Sequence, residues 1–119
     1  TTLVGHSCGG GFLLRWMTEN PGVIVKKLIM VAPWMGIDFG QEFDIEFFNF
    51  ELDSSIVERV DELSLFSSTD DFKEIKESES LIVAKIPKIK VIELNGRGHF
   101  CTEDTTGMEF PELLEEITK

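Results

Sequence analysis

Apolar residues in this chain fall into short runs punctuated by glycine, proline and charge. Thr2 to Val4 reads as a short strand, and Phe12 to Glu19 as a helix whose apolar face is Phe12, Leu13, Trp16 and Met17. Asn20-Pro21-Gly22 ends that helix, because proline cannot continue it and disfavours helical geometry in the residue before. Leu28-Ile29-Met30-Val31 is continuously apolar, the pattern of a strand buried on both faces. Leu63 to Phe66 and Ile89 to Leu94 read as further strands, with a helix between Lys76 and Ala84. A last helix opens at Pro111, favoured at a first helical position, and is expected to bury Leu113, Leu114 and Ile117. Strands alternating with helices predict an α/β domain with a parallel sheet covered on both faces. Between Gly36 and Val60 the period loosens. Phe39, Phe43, Phe47, Phe48 and Phe50 alternate there with acids, as suits a lid-like insertion over the sheet.

The remaining bulk properties narrow the function. A length of 119 residues with 42% hydrophobic content suits one domain with one core. The net charge is −11, and 14 of the acids lie between Asp38 and Glu79 against three bases. Such a surface repels phosphate backbones, so neither nucleic acid nor an anionic membrane is expected as a partner. Two cysteines, Cys8 and Cys101, make no disulfide framework, and the composition points to the cytoplasm. The chain opens on Thr1 without an initiator methionine, directly into strand pattern, which suggests a piece of a longer protein.

Three of the four expected strands end in reactive side chains: Ser7, the Asp70-Asp71 pair, and His99. In parallel sheets functional groups gather at the carboxyl ends of strands. Gly5-His6-Ser7-Cys8-Gly9 matches the G-x-S-x-G turn in which a nucleophilic serine sits between strand and helix, with small residues two before and two after to avoid clashes. The backbone N–H of Cys8 is then placed to hold an oxyanion. Asp70 and Asp71 lie 63 and 64 residues after Ser7, at the end of the third expected strand. One is expected to orient the histidine and the other to cap the following segment, with Asp71 preferred for catalysis and Asp70 the alternative. His99, in Gly98-His99-Phe100, occupies the place of the general base. His6 lies inside the turn and is not expected to serve as one. The chain order serine, acid, histidine is that of an α/β-hydrolase.

Together these residues resemble the small serine hydrolases of the retinoblastoma-binding-protein-9 type and their bacterial relatives. The resemblance rests on Leu3-Val4-Gly5-His6-Ser7-Cys8-Gly9-Gly10, Val31-Ala32-Pro33-Trp34, Ser68-Thr69-Asp70-Asp71, Gly98-His99-Phe100 and Phe110-Pro111-Glu112-Leu113-Leu114. It implies a triad of Ser7, Asp71 and His99. Where that family continues its acid loop with proline, this chain runs Asp71-Phe72-Lys73-Glu74-Ile75. Family members also carry a block of strands and helices before the nucleophile turn, including a loop that supplies the second oxyanion donor. The chain is therefore expected to be the C-terminal part of an α/β-hydrolase, residues 1–119, with the insertion at roughly 36–60. Losing one oxyanion donor typically costs about 10²–10³ in rate, so the isolated piece is expected to be weakly active. The strand before Ser7 would have an unpaired edge, a route to self-association.

The expected reaction is acyl transfer to water from a small ester, thioester or amide, with Trp34, Phe47 and Phe48 lining an apolar pocket and no cofactor. Two other readings compete. His6-x-Cys8 and His99-x-Cys101 together offer four zinc-type donors, but the spacing is not that of structural zinc sites, and no metal is expected. A non-catalytic binding module, or an inactive fragment, is the other. In it the phenylalanine-rich acidic segment would be a docking surface instead of packing on the sheet.

Overall fold

A computed structural model describes residues 1–35, 51–100 and 110–119. Four strands form one parallel sheet in sequential order: β1 (Thr2–His6), β2 (Val25–Val31), β3 (Val60–Ser68) and β4 (Lys90–Leu94). The connections carry α1 (Cys8–Glu19), a 3₁₀ turn (Ser54–Glu58) and α2 (Lys73–Lys85), and α3 (Pro111–Thr118) closes the chain. Parallel neighbours need such crossovers, since a tight turn can join only antiparallel strands.

Alternation along the central strands sorts the core onto two faces. Leu28 and Met30 of β2, with Leu63 and Leu65 of β3, pack with Leu14 and Met17 of α1, Ile56, and Ile82 of α2. Ile29, Val31 and Phe66 point to the other face, where Ile92, Leu94, Phe110 and Leu113 cover them. Phe66 and the Phe110 ring meet edge to face at 5.3 Å.

Several elements are longer than the apolar runs alone suggest. β2 begins at Val25 and β3 spans Val60–Ser68, because strand pairing continues through polar residues. α1 begins at Cys8, so its first turn is built of glycines despite their poor helix propensity. Gly10 is buried there, and a Cβ on it would lie 2.9 Å from the Pro33 Cβ. α1 buries Leu14 and Met17 but leaves Phe12 exposed, contrary to the expected apolar face.

α3 departs further from expectation. Leu113 packs on the sheet, yet Leu114 is 61% exposed and Ile117 37%, and the buried position is Glu116. The reason is a buried lysine. Lys27 Nζ donates to the carbonyls of Glu116, Ile117 and Lys119 at 2.8, 3.0 and 2.6 Å, satisfying orphan groups at the end of the helix. Glu116 in turn accepts from Lys90 Nζ at 2.9 Å and from the Ser64 hydroxyl at 3.2 Å. The polar stitching sets the rotation of α3, so hydrophobic periodicity does not.

Among the described residues β1 and β4 are the outer strands of the sheet, and β1 pairs with β2 alone. The expected pocket residues Phe47 and Phe48, and Cys101, lie outside the described residues. Among the described residues no helix is long and apolar enough to cross a membrane.

Candidate active site

Ser7 separates β1 from α1 in a turn so tight that its φ is 58° and its ψ −120°. A positive φ is costly for a residue with a side chain, so the surroundings must hold it. They do so through the backbone. Ser7 N–H donates to Val31 O at 2.9 Å, and Ser7 O accepts from Gly10 N–H at 3.0 Å and Trp34 N–H at 2.9 Å. Gly5 is compulsory: a Cβ there would stand 2.6 Å from Gly9 O. Gly9 itself faces open space, so the second glycine of the expected motif is not required by close contact.

His99 arrives from the loop after β4, between Gly98 at φ 55° and Phe100 at φ 60°. Its Nε2 lies 2.9 Å from Ser7 Oγ, and its Nδ1 lies 3.0 and 3.3 Å from the two Asp71 oxygens. An ionised carboxylate only accepts, so Nδ1 carries the hydrogen and Nε2 presents its lone pair to the Ser7 hydroxyl. The Asp71 side chain is 0% exposed and that of His99 15%. Asp71 Oδ1 also accepts from Phe72 N–H at 2.7 Å, and the Phe72 ring meets the imidazole edge-on at 5.6 Å.

Asp70 faces elsewhere. Its Oδ1 accepts from the Ser68 hydroxyl and from Gly98 N–H, both at 2.8 Å. The Ser68 bond, then the Gly98 amide, hold its carboxyl below the usual carboxylate range. Arg97 N–H donates to Ser68 Oγ at 3.0 Å and Gly96 N–H to Thr69 Oγ1 at 3.2 Å. The run Ser68-Thr69-Asp70 thus clasps the backbone of Gly96 to Gly98, and Asp71 is left to meet the imidazole. Only the left-handed glycines in Gly96-Arg97-Gly98 hint at this clasp in the sequence.

His6, dismissed as a base, has another place: its Nε2 donates to the His99 carbonyl at 2.7 Å. Cys8 is exposed at the start of α1, where the first N–H groups lack intrahelical acceptors. Trp34 is buried with Ala32 and Ile75, and its backbone braces the turn. Among the described residues no group of three or more His, Cys, Asp or Glu side chains could hold a metal ion.

No protein-family model matches the chain, and no curated protein matches it. Solved structures do. The ydeN gene product from B. subtilis superposes with a TM-score of 0.83 at 22% identity, over 99% of this chain and 63% of its own. A predicted CIB-like hydrolase from Thermoplasma acidophilum gives 0.59 at 18%, over 99% of this chain and 48% of its own. A structure from work on carboxylesterases of the ammonia-oxidizing thaumarchaeon Nitrososphaera gargenis gives 0.50 at 14%, over 83% of this chain and 57% of its own. The chain therefore has part of the α/β-hydrolase fold, and spans 48% to 63% of the chains it resembles.

Proposed function

We propose that this chain carries the catalytic residues of a serine hydrolase that cleaves a carboxylic ester, thioester or amide. One observation carries the reading: Ser7, His99 and Asp71 come from three separate strand ends into a single hydrogen-bonded line. The names of two of the structural neighbours, a hydrolase and carboxylesterases, support it, as does the motif resemblance to small serine hydrolases.

In the reaction, Nε2 of His99 takes the Ser7 proton as Oγ attacks the acyl carbon. Asp71 holds the tautomer and stabilises the imidazolium. The Cys8 N–H, beside the positive end of α1, faces the developing oxyanion. The imidazolium then protonates the leaving group, and water, deprotonated by His99, releases the acyl group. Treatment with a fluorophosphonate probe tests the reading. Covalent labelling that disappears in Ser7→Ala and in His99→Ala is expected; labelling indifferent to both overturns it.

A further inference from the structure

Behind the acid loop, α2 presents a buried polar cluster to the end of β3. The Ser67 hydroxyl donates to Glu79 Oε1 at 2.9 Å and accepts from Lys76 Nζ at 2.8 Å. Lys76 Nζ also donates to Ser68 O at 3.0 Å, and Ser68 O receives the Asp71 N–H at 3.5 Å. The chain of contacts therefore runs from Glu79 to the backbone that sets Asp71.

Glu79 is unusual within it. Its side chain is 8% exposed, and Oε2 is sealed from solvent with no hydrogen-bond partner among the described residues. A buried carboxylate oxygen without a donor is costly, and the cost falls when the group is neutral. Burial pushes the Glu79 carboxyl up to about 7; Ser67 and Lys76 oppose that, and the Asp71 charge adds to it. The charged groups around it are Lys76 on its own helix, 3.7 Å from Oε1, Asp71 in the loop, and Glu93 of β4, which lies 3.8 Å from Lys76. A cleft of about 460 Å³ lined by Ser67, Lys76, Glu79 and Val91 opens beside the buried carboxyl.

We propose that Glu79 is a positioning residue whose charge state biases the Asp71–His99 pair through the Lys76–Ser67–Ser68 clamp. The inference rests on Asp71 and His99 acting as acid and base. An ionised Glu79 draws on Lys76 and adds negative charge behind Asp71, which favours the imidazolium. A neutral Glu79 leaves the Lys76 charge to the loop, which favours the neutral imidazole. The proton moves only between solvent and the Glu79 carboxyl.

The test follows the His99 ring resonances by NMR across the pH range in the intact chain. Glu79→Gln keeps the acceptor for Ser67 and removes the charge; its titration midpoint is expected roughly half a pH unit or more below wild type. Lys76→Met is expected to move it the opposite way. Glu77→Gln makes the same charge change on the half-exposed side of α2 and is expected to leave it in place. Equal midpoints for wild type, Glu79→Gln and Glu77→Gln overturn the inference. If Lys76→Met fails to fold, Glu79→Gln decides alone. Because the readout is not turnover, it stands apart from the fluorophosphonate result, which judges the hydrolase reading.

Discussion

The His6 ring donates to the backbone carbonyl of His99 at 2.7 Å, and the two rings lie 4.9 Å apart. The residue before Ser7 thereby grips the loop that carries His99. The described part of that loop turns on two left-handed residues beside His99 and is clasped at Gly96 to Gly98 by Thr69, Ser68 and Asp70. His6→Phe keeps a ring and loses the donor. The kcat/KM for an ester substrate is expected to fall about tenfold, the size of one lost hydrogen bond at a site where geometry matters.

The two aspartates are expected to separate cleanly. Asp71→Asn leaves the imidazole without a carboxylate at Nδ1 and should lower kcat by about 10³–10⁴ with little change in fold. Asp70→Asn weakens the clasp on Gly98 and should lower Tm by a few degrees, with a much smaller loss of rate. Parallel kinetics and thermal melts on both variants check this, and an Asp70 variant slower than the Asp71 variant would reverse the assignment.

Gly5 and Gly9 flank Ser7 symmetrically in sequence but not in space. Gly5→Ala drives a methyl into the Gly9 and Gly10 backbone and is expected to cost at least about 1–3 kcal/mol. Gly9→Ala meets nothing within 4 Å and should be neutral, or stabilising by up to about 1 kcal/mol through helix propensity. Urea unfolding of the two variants distinguishes them.

Glu79 should also mark the pH dependence of stability. Its folded value, about 7, lies above the ordinary 4.5, so between those values the folded state binds the extra proton. The stability it contributes is present at low pH and is lost as pH rises through about 7. Glu79→Gln is therefore expected to exceed wild type by about 1–3 kcal/mol at pH 8.5, with the gap closing towards pH 5. A gap independent of pH would contradict this.

Glu116 works in the other direction. Lys90, with Lys119, holds its carboxyl down at about 2 against desolvation. Its contribution is present above about 4.5 and lost as pH falls towards 2. The lysines are about half exposed, so solvent screening limits it to about 1–2 kcal/mol. Denaturant melts from pH 6 to pH 2.5 should show a shallower decline in Glu116→Gln than in wild type.

Strand and helix order was legible in the sequence because the central strands are apolar on both faces and glycine and proline mark their ends. The serine turn could be picked out because it follows β1 directly, and Gly98-His99-Phe100 because it stands in the glycine-marked loop after β4. Less could be read where polar groups do structural work. Lys27 sits in a strand yet is buried, and it turns α3 so that Glu116 faces inward while Leu114 faces out. No periodicity in α3 encodes a partner 89 residues away. The choice between Asp70 and Asp71 likewise depends on Ser68 and Gly98, which meet only in the folded chain.

The backbone at Ser7 has a consequence for how such a chain can change. Its positive φ puts the Ser7 hydroxyl, the proposed nucleophile, where a residue without a side chain would be more comfortable. Selection or engineering for thermal robustness alone would favour glycine there and would erase the proposed chemistry in one step. Heat tolerance in this chain must therefore be sought away from the β1–α1 turn, for example along the exposed faces of α1 and α3.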